Sequence, residues 1–334
     1  MNTSVPMRLL LTLTFVFPAR AATATDESNP ASWPPTIALL NPVRADFDGA
    51  ALPPRALVLA VYRDGAWTSA DLESLVPTDY EGNQKALTDE ETERTQRLLA
   101  TTFYDPVDSA RRFHPSATCA YWVIASPYLG LTGSVAGFEN APPRTEGFLV
   151  TSRPQSLPPL VPLTLVDKSN LARVVHDPVV VAARKASQST QRFRSNYVQF
   201  RPDLDLYSAP EIRNAVSFEI STERKGVWVY AASTYPMDLA PDPGVPDFPM
   251  WSVDYYGLLE AASDGTYRVL WETITVLDDP WSRRGFDFLG VCDGDGDGVA
   301  EVVLYEHRHE YRSFLTLAYS SGRYEIVSTR SGAI

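Results

Sequence analysis

The sequence predicts a mainly β protein, and two observations lead to that fold class. Three stretches each join two apolar or alternating runs through a polar-Gly turn with an aromatic residue two positions after the Gly: LVLAVYRDGAWTSADL, GLLEAASDGTYRVLWE and FLTLAYSSGRYEIVST. Between residues 213 and 329, short strand-like runs follow one another at regular spacing. Gly supplies the positive φ of a tight turn, and the aromatic ring can pack across the two strands. Each of the three stretches therefore predicts a β-hairpin.

Residues 1–21 have the layout of a secretory signal peptide. Arg8 precedes an apolar run, Leu9–Phe17, and the small-x-small triplet Ala19-Arg20-Ala21 follows it. The run is too short to span a bilayer, and its flanks suit cleavage. The alternative is a buried N-terminal strand or helix. We expect a secreted or periplasmic protein that does not insert in a membrane after cleavage.

The net charge argues against nucleic acid as a partner. The 334 residues carry a formal charge of −12. Cleavage after residue 21 removes Arg8 and Arg20 and no acidic residue, so the mature chain carries −14 (−12 − 2). An acidic surface repels phosphate backbones. We therefore expect no nucleic-acid partner.

Residues 22–155 are predicted to form a small N-terminal α+β domain. The first hairpin lies here, followed by one helix in TDEETERTQRLLATTF. In that helix Thr88 and Glu91 have capping-box spacing, and Glu93 and Arg97 form an i,i+4 pair in the favourable order. The Pro-rich stretch APPRTEGFLVTSRPQSLPPLVP interrupts regular structure and marks the domain boundary.

Residues 156–334 are predicted to form a β-rich domain built from two similar units. Each unit has four short antiparallel strands, which are VSFEIS, GVWVYAAS, YYGLLEAAS and YRVLWETI in the first and FDFLGVCD, AEVVLYEHR, SFLTLAYSS and RYEIVST in the second. Four such strands are the build of a propeller blade, although two blades do not close a propeller. A β-sandwich gives the same strand list, so both architectures remain open.

The stretch VCDGDGDGVAEVVLYE predicts a calcium-binding loop at residues 293–301. Counting Asp293 as the first position, carboxylates also fall at the third, fifth and ninth, which are Asp295, Asp297 and Glu301, and Val299 can offer its carbonyl at the seventh. Calcium takes six to eight oxygen ligands, and alternate acidic residues on a tightly curled backbone can converge on one ion. The alternative is a solvated acidic turn without a metal.

An EF-hand does not explain this loop, because its twelfth position is Leu304 instead of Glu and strands flank it instead of helices. A loop of the pattern D-x-D-G-D-G-x-x-[DE] leading straight into a strand resembles the FG-GAP/VCBS repeat, the calcium-loop blade of integrin-α-type propellers. The resemblance covers residues 286–329. It implies calcium ligands from four side chains and one carbonyl: Asp293, Asp295, Asp297, Glu301 and the backbone of Val299. The family usually has Asp where Glu301 stands, and the matching stretch of the first unit, STERKGVWVY, is basic.

The two cysteines leave two alternatives open. Cys119 and Cys292 are the only ones, and both lie in strand-like contexts. In an oxidising compartment they can form a disulfide, which would stabilise the fold by about 5 kcal/mol through loop closure. Otherwise they are two small buried side chains.

No catalytic motif is present, so the sequence leans towards a protein without enzymatic activity. There is no G-x-S-x-G, H-E-x-x-H, P-loop or dinucleotide fingerprint. His307 and His309 share a strand face at a spacing that suits a two-His metal site, but an exposed charged strand explains them better. His114 and His176 are interpreted as turn residues.

The function that follows is an exported calcium-binding β-protein acting as a binding or structural module. Aromatic residues crowd the C-terminal half and can line a surface for a protein or carbohydrate ligand, or pack in the core: Trp228, Tyr230, Trp251, Tyr255, Tyr256, Trp271 and Trp281. The alternative function is a secreted hydrolase that uses carboxylates from distant segments on a β scaffold.

Overall fold

Three antiparallel sheets and one long helix account for the regular structure of the described residues. The computed structural model describes residues 33–41, 55–69, 100–110, 112–119, 128–132, 148–155, 157–158, 160–162, 165–193, 210–234, 252–277, 284–308 and 311–333, together with residues 89, 93 and 97. The predicted signal peptide lies outside these residues. The predicted mainly β class is confirmed.

The first sheet comes from the N-terminal part of the chain. Its strands are β1 (Thr36–Asn41), β2 (Arg55–Arg63), β3 (Ala66–Ser69), β4 (Phe103–Tyr104), β5 (Arg112–Cys119), β6 (Tyr128–Thr132) and β7 (Phe148–Thr151). They lie in the order β1-β7-β4-β5-β6-β2-β3, and β1 also pairs with β2. The predicted first hairpin is confirmed as β2–β3. Its two turn residues, Asp64 and Gly65, have φ of 52° and 78°, as a two-residue turn of this hand requires.

The predicted N-terminal helix is described at three positions only. Asp89, Glu93 and Arg97 are helical. The carboxylate of Glu93 accepts a hydrogen bond from the guanidinium of Arg97, which confirms the predicted i,i+4 pair.

The second and third sheets contain the two predicted four-stranded units. The second sheet contains β8 (Val161–Pro162), β9 (Glu211–Ser221), β10 (Arg224–Thr234), β11 (Ser252–Ala261) and β12 (Tyr267–Leu277). The third contains β13 (Arg284–Cys292), β14 (Glu301–Arg308), β15 (Tyr311–Ser320) and β16 (Arg323–Ala333). Consecutive strands from β9 to β12 and from β13 to β16 are neighbours, so both units are confirmed as antiparallel meanders. The other two predicted hairpins are β11–β12 and β15–β16.

One long helix, α1 (Leu165–Phe193), lies where the sequence analysis predicted no helix. Leu171, Val175 and Val179 follow one another at intervals of four, and all three are buried against the second sheet. This burial holds the helix together although Pro178 removes one backbone donor inside it. The interpretation of His176 as a turn residue is therefore wrong, and His114, which lies in β5, is not in a turn either.

Three hydrophobic clusters show that helix and sheets are stacked in layers. The helix packs on one face of the second sheet through Val227, Val229 and Tyr255. The other face of the second sheet packs on the third sheet, and the remaining face of the third sheet packs on the first through Cys292 and Val303. The order of layers is helix, second sheet, third sheet, first sheet.

Alternation along β14 explains how one strand can contact two layers. Val302 and Leu304 point into the cluster shared with the second sheet, whereas Val303 points into the cluster shared with the first sheet. Side chains two apart share a face, so Glu301 points towards the first sheet as Val303 does. The sheets do not form a closed propeller within the described residues, and the predicted domain boundary at 155/156 stays a prediction.

Candidate metal-binding loop

The acidic loop connects β13 to β14 at the start of the third sheet. It comprises the eight residues Asp293–Ala300, between Cys292 and Glu301, which are paired across the two strands. The corresponding connection in the second sheet, between β9 and β10, is a two-residue turn because Ser221 pairs with Arg224. The two units therefore share their strand plan and differ at this connection, where the third sheet carries six additional residues (8 − 2).

Three carboxylates of the loop converge. Asp293, Asp295 and Asp297 each offer one oxygen, and these three atoms lie within 4.8 Å of one another. Among the described residues this is the one such group of His, Cys, Asp or Glu side chains. Gly296 and Gly298 have φ of 77° and 82°, and these left-handed positions curl the backbone around the carboxylates.

Backbone amides of the loop satisfy some of these oxygens and leave one buried without a partner. The amide of Asp297 donates to Asp295 Oδ1 over 3.1 Å, and the amide of Val299 donates to Asp297 Oδ1 over 2.7 Å. The amide of Gly298 donates to Asp293 Oδ2 over 3.1 Å. Asp293 Oδ1 is buried and has no hydrogen-bond partner in the described part of the chain. A buried carboxylate oxygen without a donor is costly, and a cation can compensate it.

The charges of the loop are poorly compensated by the protein. Burial, and then the negative charge of Asp297, raise the pKa of Asp295 to about 6, against a smaller lowering effect of Arg153. The pKa of Asp293 is also raised, chiefly by burial. The pKa of the neighbouring Tyr62 hydroxyl is raised by burial and then by Asp295 and Asp297. Burial thus disfavours the ionised form of Asp293 and Asp295, and a bound cation would favour it.

Glu301, the fourth predicted side-chain ligand, lies beside this group and is not part of it. Its carboxylate is buried, with 3% of the residue exposed. Oε1 accepts a hydrogen bond from the indole N–H of Trp67 at 3.1 Å, and Oε2 accepts one from the amide of Gly294 at 2.7 Å. Burial, and then Asp295, raise the pKa of Glu301 well above its ordinary value. The ligand roles of Glu301 and of the carbonyl of half-buried Val299 stay predictions.

Residues of the first sheet and of the segment after β7 contact the loop, and the sequence analysis missed all of them. Besides Trp67, the side chain of Gln155 accepts a hydrogen bond from the amide of Asp293 at 2.6 Å, and the guanidinium of Arg153 donates to the carbonyl of Asp295. These partners lie between 138 and 234 positions away along the chain. No local pattern in the sequence could have indicated them.

The other candidate residues do not form a second site among the described positions. Cys292 is a buried free thiol, so the structure favours the alternative of a small buried side chain over the disulfide. His307 Nδ1 lies 3.6 Å from Asp287 Oδ2, and His309 falls outside the described residues. These observations add no ligand to the predicted two-His pair.

Most of the described C-terminal aromatic residues pack in the interior. Trp228, Tyr255 and Tyr256 are buried, and the rings of Trp228 and Trp271 stack with centroids 6.5 Å apart between the second and third sheets. Tyr230 stacks on Tyr256 at 4.8 Å. Trp251 and Trp281 lie outside the described residues. The core interpretation of these aromatics is therefore correct for the three buried residues.

Comparisons with known proteins give no relative for this chain. No family model, no curated protein and no solved structure matches it significantly. In the described residues no helix is both long and apolar enough to cross a membrane. The fold and the loop together define a mainly β protein with a candidate cation site at a sheet connection.

Proposed function

We propose that this chain is an exported calcium-binding β-protein that acts as a non-catalytic binding or structural module. The observation that carries the proposal is the convergence of Asp293, Asp295 and Asp297 within 4.8 Å, together with the buried Asp293 Oδ1, which has no hydrogen-bond partner among the described residues. Calcium is a hard cation that prefers carboxylate and carbonyl oxygens. The donor set fits such an ion, with Glu301 and the Val299 carbonyl as the further ligands that the FG-GAP/VCBS resemblance implies.

The surroundings of the loop favour a structural role for the ion. The amide of Ala300 donates to the carbonyl of Ile220 in the second sheet over 2.8 Å. The carbonyl of Ala300 accepts a hydrogen bond from the hydroxyl of Tyr324 in the third sheet at 2.9 Å. Gln155 approaches from the end of the first sheet. An ion in this loop would therefore strengthen a junction of three sheets. Loops of extracellular modules bind calcium at about 10⁻⁴–10⁻³ M, which suits permanent occupancy outside the cell.

The finer fold that we propose is a pair of blade-like units of the FG-GAP/VCBS kind. Two observations support it: both units are four-stranded meanders, and their faces pack on each other. The acidic loop joins the first two strands of its unit. Face-to-face packing of two antiparallel sheets also suits the alternative, a β-sandwich.

Export and partners rest on the sequence. The signal-like segment supports a secreted or periplasmic location, and the acidic charge argues against nucleic acid. A protein or carbohydrate ligand is the expected partner. The hydrolase that uses carboxylates on a β scaffold stays the alternative prediction.

Calorimetric titration of the protein with calcium, and separately with magnesium, tests the proposal. We expect saturable calcium binding. At a free calcium concentration 100 times the dissociation constant, thermal melts should show about 2.7 kcal/mol more stability than in chelator. Asp295→Asn should weaken binding, because it removes a charge and keeps an oxygen for the amide of Asp297. No binding heat and no shift in the melt would refute the proposal.

A further inference from the structure

The contact between Trp67 and Glu301 joins the first sheet to the acidic loop. The indole N–H of Trp67 donates to one oxygen of the buried Glu301 carboxylate at 3.1 Å. The other oxygen accepts the amide of Gly294, the second residue of the loop, at 2.7 Å. Glu301 thus bridges β3 and the loop backbone. Trp67 is 8% exposed, so the bond is shielded from water.

The close approach at Gly294 shows that the first sheet also shapes the loop sterically. A Cβ placed on Gly294 would lie 2.8 Å from Trp67 and 2.9 Å from Ile37, closer than side-chain carbons pack. Both neighbours are buried members of the cluster that joins the first and third sheets. The loop backbone therefore lies directly on the first sheet.

The segment after β7 makes the third contact. Gln155 accepts the amide of Asp293, and its own amide group donates to the hydroxyl of Thr151 at 2.9 Å, which holds the side chain in place. Arg153 donates to the carbonyl of Asp295. The segment after β7 thus holds the backbone of Asp293 and Asp295, two of the three residues whose carboxylates converge.

We propose that Trp67 and Gln155 are positioning residues of the cation site, so that cation binding and docking of the first sheet on the third are thermodynamically linked. The proposal rests on the proposed function. If the first sheet holds the loop in its binding conformation, removing that contact lowers cation affinity. By reciprocity, a bound cation must then strengthen the docking of the first sheet by the same factor. Trp67 has no side-chain oxygen, and the side-chain oxygen of Gln155 accepts the amide of Asp293.

A matched pair of variants tests the first half of the linkage. Trp67→Phe removes the donor to Glu301 and keeps an aromatic ring. Trp33→Phe is the control, because Trp33 is equally buried in the same region and its indole N–H donates to Thr36 at 2.9 Å, away from the loop. In calorimetric titrations with calcium we expect Trp67→Phe to weaken binding by at least about fivefold, the lower end of usual couplings, and Trp33→Phe to leave the affinity unchanged.

Hydrogen exchange of the unmodified protein tests the second half and does not depend on a variant that folds. Chelation should lower the protection of amides in β1–β3 by at least about fivefold relative to amides in the centre of β10 and β11. The linkage is refuted, and the proposed function stands, if calcium binds but Trp67→Phe keeps the wild-type affinity and chelation leaves the exchange of β1–β3 unchanged. If calorimetry detects no calcium binding, both fail together.

Discussion

Replacing Asp297 by Asn should stabilise the calcium-free protein and reduce the stabilisation that calcium supplies. Asp297 is exposed, and its charge lies near those of Asp293 and Asp295, within 4.8 Å at the converging oxygens. Two unit charges 4.8 Å apart repel by about 0.9 kcal/mol in a water-like dielectric. Loss of the two repulsions should stabilise the chelated protein by about 1.7 kcal/mol. The Asn side chain still accepts the amide of Val299, so the turn is kept.

In calcium the same variant loses a charged ligand. Its affinity should fall at least about tenfold, and each tenfold loss removes about 1.4 kcal/mol of the stabilisation that a saturating ion supplies. Thermal melts in chelator and in millimolar calcium, for wild type and variant, measure both effects. We expect the variant to melt about 3–7 °C above wild type in chelator and to gain much less from calcium.

The control for this prediction is Asp264→Asn. Asp264 is an exposed turn residue whose Oδ1 accepts the amide of Thr266 at 2.9 Å, the same local bond that Asp297 makes. It lies between β11 and β12, outside the acidic loop, so its replacement should change stability equally in both conditions. If Asp297→Asn behaved like this control, its carboxylate would serve the turn and not the ion, and the reasoning would be refuted.

Three further predictions concern sterics, pH and the core. Gly294→Ala should destabilise the protein by about 1–3 kcal/mol through overpacking against Trp67 and should weaken calcium binding. The control is Gly65→Ala, where φ is 78° and no atom lies within 4 Å; it should cost about 1 kcal/mol through backbone strain and leave calcium binding intact. Equal calcium affinities of the two variants would contradict this prediction. Because the pKa of Asp295 is raised to about 6 from 3.8, its contribution to the stability of the cation-free protein is present below pH 4 and is lost as pH rises through 6. Calcium binding at pH 6 should therefore release protons, which titrations in buffers of different ionisation enthalpy measure; zero release would show that Asp295 is already ionised. Trp228→Ala should cost about 3–5 kcal/mol in chelator and in calcium alike, since the ring is 1% exposed between two sheets, and a denaturant titration checks this.

The hairpins and the two four-stranded units could be predicted because their signals are local. At the β15–β16 turn, Ser321 and Gly322 have φ of 51° and 90°, and the polar-Gly pair predicts this turn wherever it lies in the fold. The loop ligand pattern is local too, and three of its predicted carboxylates do converge. Backbone geometry and short-range spacing are sufficient for features of this kind.

The helix α1 was missed although its sequence contains a helical signal. Leu171, Val175 and Val179 recur at intervals of four, and Pro178 removes one backbone donor among them. The second sheet buries all three apolar side chains, and that burial outweighs the lost backbone donor. The spacing by four was the signal that could have found the helix.

By itself the sequence determined the fold class, the strand pairs of the C-terminal half and the residues that carry the acidic loop. Only the tertiary structure decided that the loop lies on the first sheet and that Glu301 accepts the indole of Trp67 from 234 positions away. The physical reason is that hairpins and curled loops follow from the conformational preferences of neighbouring residues. The stacking of sheets follows from which buried faces fit together, and no short stretch of sequence contains that information.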